Sequence, residues 1–155
     1  MNIKIERAFV CDAYEILLLQ KLAYQSEAKI YNDFSIEPLA QTLEHLEKQF
    51  ANHIVLKAVV DETIMGSVRA NEQDRTCCIG KLMVHPKHQN QGIGRKLMNS
   101  IEGLFPKLRY ELFTGNKSEK NISLYEKLGY KIFRERLITS DFSLVYLEKK
   151  VLELY

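Results

Sequence analysis

The sequence predicts one domain of mixed α/β class, and three observations support that prediction. Its 155 residues are enough to enclose one stable core without disulfide or metal crosslinks. Its composition, 46% hydrophobic and 27% charged, is typical of a folded globular chain. Its hydrophobic pattern changes between a period of two and a helical period along the chain, which indicates interleaved strands and helices. Because no repeat, linker or low-complexity segment is present, we assign residues 1–155 to a single domain.

Charge, hydropathy and cysteine content exclude several classes of function. A net charge of +2, without long runs of like charges, gives no basis for nucleic-acid binding. No apolar window approaches the length of a membrane span, and the first residues have the alternation of a strand rather than a secretion signal. Cys11, Cys77 and Cys78 lack the C-x-x-C spacing of a zinc or redox site. We therefore expect a cytoplasmic protein with reduced cysteines, no metal and no membrane partner.

A strand and a helix are predicted at the start of the chain. Ile3, Ile5 and Phe9 follow a rough period of two, as in a half-buried strand. Asp12 is placed as the N-cap of a helix that continues to about Gln25. The broad apolar face of this helix is predicted to be buried and comprises Ile16, Leu17, Leu18, Leu19 and Leu22.

The next segment, Ser26 to Phe34, breaks the helical pattern and is predicted to form a loop. Its aromatic residues Tyr31 and Phe34 either cover the core or line a substrate entrance. Ser35 then supplies the hydroxyl of a helix N-cap. The second helix carries an apolar stripe of Leu39, Leu43, Leu46 and Phe50.

Three β-rich runs separated by short polar turns predict an antiparallel meander. They are His53 to Val60, Ile64 to Ala70 and Thr76 to Val84. After a further loop and helix, Leu108 to Thr114 is predicted to form another strand. A helix crosses between this strand and Thr76 to Val84, so the two should lie parallel.

The chain closes with a helix and two strands. Ser118 can cap the helix, and Gly129 supplies its left-handed stop. The strands are predicted over Tyr130 to Leu137 and Phe142 to Val151. The complete order of elements is β-α-α-β-β-β-α-β-α-β-β.

The most informative stretch is Ile79 to Phe105, a strand, a glycine-bearing loop and an amphipathic helix. Gly92, Gly94 and Arg95 lie where the first N–H groups of the helix have no intrahelical partner. These N–H groups, the helix dipole and the missing Cβ atoms suit a closely approaching phosphate. Glycines are also needed at such turns for steric reasons alone, so the residues by themselves leave a plain turn and a phosphate site open.

Two other phosphate-binding loops are excluded by the same residues. A P-loop needs Ser or Thr after Gly-Lys, whereas Gly94 is followed by Arg95 and Lys96. A dinucleotide-binding loop needs three glycines and an acidic residue about 20 positions later, and neither is present.

The full pattern resembles the acetyl-CoA signature of the GNAT (GCN5-related) N-acetyltransferase family. Leu82 to Pro86 is followed by Gln89-x-x-Gly92-x-Gly94-Arg95, which matches every fixed position of the family's loop. A second segment, Asn121 to Tyr130, resembles the family's C-terminal motif. The resemblance covers essentially the whole chain. It implies a mixed seven-stranded sheet whose two central parallel strands splay apart.

The resemblance also implies which residues serve the reaction. Acetyl-CoA would be bound by Asn121 and by the strand end and loop, namely Leu82, Met83, Val84, Gln89, Asn90, Gln91, Gly92, Ile93, Gly94 and Arg95. The backbone N–H of Val84 or Met83 would face the thioester carbonyl. Tyr125 matches the tyrosine that protonates the departing thiolate, and Glu111 is the best-placed carboxylate for a base. Where the family more often has a CoA-contacting asparagine, this chain has Ser118.

The implied function is acetyl transfer from acetyl-CoA to a primary amine of a small molecule or peptide. The alternative is a CoA-binding module of the same fold that senses without turnover. Acceptor recognition is expected around a mixed aromatic and acidic entrance formed by Tyr24, Glu27, Tyr31, Asp33 and Phe34. A homodimer is possible for such a domain.

Overall fold

The computed structural model describes residues 2–150, which form one seven-stranded sheet in the order β1-β2-β3-β4-β5-β7-β6. All neighbouring strands are antiparallel except β4 and β5, which are parallel as predicted. The strands are β1 Lys4–Arg7, β2 Ile54–Val60, β3 Thr63–Gln73, β4 Thr76–Val84, β5 Arg109–Gly115, β6 Lys131–Thr139 and β7 Phe142–Lys149. The predicted end of the last strand at Val151 lies outside the described residues.

Within residues 2–150, six α-helices flank the sheet. They are α1 Ala13–Ala23, α2 Gln25–Tyr31, α3 Glu37–Ala40, α4 Leu43–Gln49, α5 Ile93–Gly103 and α6 Glu119–Lys127. Helices α5 and α6 share one hydrophobic core with the sheet, and α1 and α4 pack on its other face. No helix within residues 2–150 is both long enough and apolar enough to cross a membrane.

The β2–β3 and β3–β4 hairpins confirm the predicted meander. Each has two turn residues with positive φ, Asp61 and Glu62 in the first and Asp74 and Arg75 in the second. Such turns match the right-handed twist of the strands they join. Strand β3 is longer than predicted because it continues to Gln73 before the tight turn.

Helix α1 differs from its prediction in the face that it buries. Leu18 and Leu22 are 52% and 45% exposed, whereas Gln20 is completely buried. Asp12 occupies the N-cap position, but its side chain caps no helix N–H. Its carboxylate instead accepts a hydrogen bond from the Phe9 N–H and pairs with Lys57 at 3.1 Å.

The segment predicted as a loop, Ser26 to Phe34, was assigned wrongly because most of it is helix α2. The single second helix predicted after Ser35 is also wrong, since an extended Gln41 divides it into α3 and α4. Ser35 does not cap α3 but donates its hydroxyl to Asp33. The N-cap side chain of α4 is Thr42, which accepts from the His45 N–H.

Candidate active site

The parallel strands β4 and β5 separate soon after they meet. They pair only from Thr76 to Cys78 on β4 and from Arg109 to Glu111 on β5. Strand β4 then continues for six more residues, to Val84, with a partner only on its β3 side. The result is a gap between the carboxyl-terminal halves of β4 and β5, as the resemblance implied.

A bulge on β4 accompanies this separation. Val68 of β3 faces both Lys81 and Leu82, and Lys81 has the left-handed φ of 54°. An extra residue in one strand bends that strand and increases its twist. The bulge therefore bends β4 within the part of the strand that no longer pairs with β5.

The backbone of β4 beyond the bulge is available for a ligand. The His85 N–H donates to the Met65 carbonyl on β3 at 2.7 Å. Because successive amides of an extended strand point to opposite sides, the Val84 N–H points toward the gap. This geometry favours Val84 over Met83 as the N–H donor in the gap.

The glycine loop leads directly from this strand to α5. Gly92 is the N-cap with φ of 85°, and no side chain within residues 2–150 caps the helix there. The first intrahelical bond at this end runs from the Lys96 N–H to the Gly92 carbonyl. The N–H groups of Ile93, Gly94 and Arg95 are therefore free of helical partners.

Gly94 brings the start of α5 against β4. A Cβ on Gly94 would lie 3.6 to 4.0 Å from side-chain atoms of Leu124, Val84 and Leu82, which is ordinary contact. Ile93 is buried in the core, whereas Arg95 points outward and is exposed. The loop thus combines backbone donors, a helix N-terminus and the exposed cation of Arg95, a set that fits a pyrophosphate.

Tyr125 of α6 lies in the core beside the gap and is 8% exposed. Its ring centroid is 6.1 Å from that of Tyr130. Burial raises the Tyr125 pKa above its usual value, and the nearby Glu27 carboxylate raises it further. The raised pKa keeps this phenol protonated at neutral pH. Its hydroxyl makes no hydrogen bond within the described chain and is therefore free to donate one.

A polar network that the sequence did not indicate joins α2 to the start of α6. Glu27 accepts hydrogen bonds from the Ser118 hydroxyl at 2.5 Å and from the Asn121 side-chain amide at 3.1 Å. Ser118 occupies the N-cap position of α6, but its side chain caps no N–H there. Asn121, predicted to contact CoA, is therefore bonded within the protein.

Tyr31 also links α2 to the start of α6. Its hydroxyl lies 2.6 Å from the Ser118 hydroxyl and accepts the Lys117 N–H at 3.2 Å. Its ring packs edge-on against Phe142, with centroids 5.1 Å apart. Gly115, at the end of β5, leaves the space that the Tyr31 hydroxyl fills. Of the two aromatics predicted here, Tyr31 is half-buried at the gap, and Phe34 is 55% exposed.

Glu111, the carboxylate suggested as a base, lies at the opposite end of β5. It pairs with Cys78 in the last position before the strands separate, and its side chain forms a 2.9 Å ion pair with Arg109. The structure does not bring Glu111 together with Tyr125. The carboxylate that acts electrostatically on Tyr125 is Glu27. A basic role for Glu111 stays a prediction.

The class of this protein, an acetyltransferase, follows from its match to a protein-family model. Residues 14–130, more than half of the chain, match the family model described as "Acetyltransferase (GNAT) family". The chain belongs to the GNAT family.

One curated relative is NAA20 of Arabidopsis thaliana, the catalytic subunit of the N-terminal acetyltransferase B complex. It is 32% identical over 78 residues, which are 48% of this chain and 45% of that protein. The chain therefore spans about half the length of this curated relative.

Solved structures share the whole fold at low sequence identity. The PaiA N-acetyltransferase of Thermoplasma acidophilum, in complex with coenzyme A, is 19% identical with a TM-score of 0.83, over 97% of this chain and 100% of that chain. The ribosomal-protein-S18-alanine N-acetyltransferase of Escherichia coli is 16% identical with a TM-score of 0.77, over 99% and 97%. YncA of Salmonella typhimurium, with acetyl-CoA, is 20% identical with a TM-score of 0.75, over 100% and 97%.

Proposed function

We propose that this protein is an acetyl-CoA-dependent N-acetyltransferase that moves the acetyl group to a primary amine by direct attack on the thioester. The observation that carries this proposal is the gap between β4 and β5. It has the free N–H groups of the glycine loop at one end and the protonated Tyr125 beside it. One ligand with a pyrophosphate, a chain of amides and a thioester would use all three features.

Different groups of this protein would bind acetyl-CoA and stabilise the transition state. The α5 N-terminus holds the pyrophosphate, and the β4 backbone from Leu82 to Val84 bonds the pantetheine amides. The Val84 N–H donates to the thioester carbonyl oxygen, on which negative charge develops during attack. As the C–N bond forms and the C–S bond breaks, Tyr125 donates a hydrogen bond to the departing sulfur.

The raised pKa of Tyr125 limits how far its proton can move to the leaving sulfur. A thiol has a lower pKa than an ordinary phenol, and burial widens the difference. Complete proton transfer from Tyr125 to the thiolate is therefore uphill. We infer that Tyr125 stabilises the leaving sulfur mainly as a hydrogen-bond donor.

Removal of the proton from the attacking ammonium needs a base. Glu27 is half-buried and within electrostatic reach of Tyr125, whereas Glu111 lies where the strands are still paired. We propose Glu27, directly or through water, as the stronger candidate. The Ser118 and Asn121 hydrogen bonds would fix the position of its carboxylate.

The acceptor class is supported by the relatives' names. NAA20 belongs to an N-terminal acetyltransferase complex, and the Escherichia coli protein is an alanine N-acetyltransferase of a ribosomal protein. We therefore propose peptide N-termini as the first acceptors to test, followed by small amines. Cytoplasmic location and a homodimer are further proposals.

The test is acetyl-CoA incubated with a panel of peptide N-termini, polyamines, aminoglycosides and amino acids, with free thiol release as the readout. We expect amine-dependent thiol release together with an acetylated amine detected by mass spectrometry. The competing proposal, a sensor without turnover, predicts tight acetyl-CoA binding with no amine-dependent thiol release. That second result across the whole panel would overturn the enzymatic proposal.

A further inference from the structure

Arg69 of β3 is a buried cation that has no carboxylate bonded to it. The residue is only 3% exposed. Its Nη2 donates to the Gln41 Oε1 at 3.0 Å, and its Nη1 is buried without a hydrogen-bond partner in the described chain. A buried charge is costly unless it is paired, and no carboxylate within residues 2–150 forms a direct ion pair with Arg69.

Three glutamine amides and the His45 imidazole form the hydrogen-bonded cluster that includes Arg69. Gln20 donates to the Pro38 carbonyl and to the Gln41 Oε1, both at 2.8 Å. Gln41 in turn donates to the Gln49 Oε1 at 3.0 Å, and its amide lies 2.9 Å from the His45 Nδ1. The Oε1 of Gln20 is also buried without a partner among the described residues. One donor and one acceptor thus remain unsatisfied in the same cluster.

The carboxylate that acts electrostatically on Arg69 is bonded to another cation. Burial lowers the Arg69 pKa, and Tyr24 and Glu37 act in the opposite direction. The Glu37 carboxylate, however, bonds Lys81 at 2.6 Å and is 57% exposed. Burial and then the charges of Arg69 and Lys81 lower the pKa of His53. Two cations therefore share one carboxylate that lies largely in solvent.

The position of Arg69 connects it to the gap. It pairs with Gly80, immediately before the β4 bulge, and the Gln41 side chain links it to Gln20 of α1. Tyr24 is influenced electrostatically by both Tyr125 and Arg69. Arg69 therefore lies behind the end of α1, on the face of the sheet opposite α5.

An ordered water could satisfy Nη1, but it would leave the positive charge uncompensated. An anion would satisfy both requirements. A carboxylate has the planar geometry that a guanidinium binds best, and an adjacent N–H on the same molecule could donate to Gln20.

We propose that Arg69 recognises a carboxylate on the acceptor, so that the preferred amine belongs to an amino acid or to a peptide with an acidic residue close to its N-terminus. This inference rests on the proposed acetyl transfer and adds the acceptor's charge to it. In the complex, the ligand carboxylate takes over from Glu37 as the counter-charge of Arg69, and Glu37 keeps its ion pair with Lys81.

The experiment compares acceptors that differ only in charge near the amine. Gly-Glu-amide against Gly-Gln-amide tests a side-chain carboxylate, and glycine against glycinamide tests a carboxylate next to the amine. Two readouts are taken on the full chain: KM from thiol release with acetyl-CoA, and the rise in melting temperature caused by each compound in the presence of CoA. The second readout does not depend on turnover.

Two isosteric variants test the origin of any preference. Gln41→Glu places an internal carboxylate against Arg69, while Gln49 can turn its amide to donate and His45 can carry its proton on Nδ1. Glu37→Gln removes the competing carboxylate from an exposed position. Gln73→Glu, an exposed residue next to the β3–β4 turn, is the control for the charge change in Gln41→Glu.

We expect KM for at least one carboxylate acceptor to be about 10-fold to 100-fold lower than for its amide, as for one charge-assisted hydrogen-bonded pair. The preference should disappear in Gln41→Glu, increase in Glu37→Gln and persist in Gln73→Glu. If Gln41→Glu does not fold, an unchanged or reduced preference in Glu37→Gln still contradicts the inference.

The two proposals fail in different ways. Thiol release with equal KM and equal melting shifts for both members of each pair would overturn the role of Arg69 and leave acetyl transfer intact. Absence of thiol release with every amine would overturn acetyl transfer. In that case, melting shifts with carboxylates alone would support the anion site, and equal shifts would refute it.

Discussion

A single charge placed in the glycine loop should weaken acetyl-CoA binding without weakening the fold. We choose Asn90→Asp because Asn90 has a left-handed φ of 62°, a conformation that Asn and Asp both tolerate. Gly92 is less suitable. With φ of 85° at Gly92, any side chain there strains the backbone whether or not a phosphate binds.

The expected loss follows from Coulomb's law. A new carboxylate about 6 Å from one phosphate charge, at an effective dielectric of about 40, repels it by about 1.4 kcal/mol. One to two phosphate charges therefore weaken binding about 10-fold to 100-fold. The same carboxylate lies near the positive end of the α5 dipole, where it should stabilise the helix by about 0.3 to 1 kcal/mol. Affinity and stability are thus expected to change in opposite directions.

The assay is calorimetric titration with acetyl-CoA at low and high salt, beside urea unfolding of the same protein. Asn99→Asp is the matched control, since it makes the same charge change on an exposed position of α5 beyond the first turn. Asn90→Asp should bind more weakly than Asn99→Asp, and salt should narrow the difference. Equal affinities for the two variants at low salt would refute the placement of the pyrophosphate at this loop.

Three further results are expected. Arg95→Ala should weaken acetyl-CoA binding by about 1 to 2 kcal/mol in a salt-dependent way, measured by titration against Lys96→Ala; a salt-independent loss would indicate packing. Tyr31→Phe should lower the free energy of unfolding in urea by about 1 to 3 kcal/mol, because two hydrogen bonds to the start of α6 are lost; unchanged stability would mean that they contribute nothing. Burial raises the pKa of Tyr125 and Tyr130, so the stability that these phenols give is complete below their unfolded pKa of about 10 and falls at higher pH. Urea unfolding at pH 8 and at pH 11 should show this fall, and Tyr125→Phe should reduce it.

The segment from β4 to α5 could be predicted in detail because its signals are local. The apolar run of β4, the left-handed requirement at Gly92 and the helical spacing of Ile93, Leu97 and Ile101 each act over a few residues. The structure agrees with all of them. The family resemblance rested on this stretch, on the segment Asn121 to Tyr130 and on the order of the elements, and it implied the gap that no local pattern specifies.

Helix α2 could not be predicted, because its stability is not local. It has seven residues, too few for a stable isolated helix, and only Ala28 among them is buried. Contacts of Glu27 and Tyr31 with the start of α6, about 90 positions later, hold it in place. Hydrophobic periodicity contains no information about such long-range polar contacts.

The cluster around Arg69 was missed for a related reason. A run of leucines in α1 predicted an entirely apolar buried face, yet Gln20 is the fully buried residue and Leu18 is exposed. The burial of Gln20 depends on partners from α3 onward, namely the Pro38 carbonyl and Gln41. A buried glutamine and a buried arginine are visible only after the strands and helices are assembled.

Replacement of Tyr125 by Phe tests the central claim most directly. The change removes the hydroxyl and keeps the buried ring, so the fold and acetyl-CoA affinity should be close to those of the unmodified protein. With an acceptor from the amine panel, kcat should fall about 100-fold or more, and KM for acetyl-CoA should change little, because the hydrogen bond strengthens only as the thiolate forms. A Tyr125→Phe protein with unmodified affinity and an unmodified kcat would contradict the assignment of Tyr125 as the donor to the leaving sulfur.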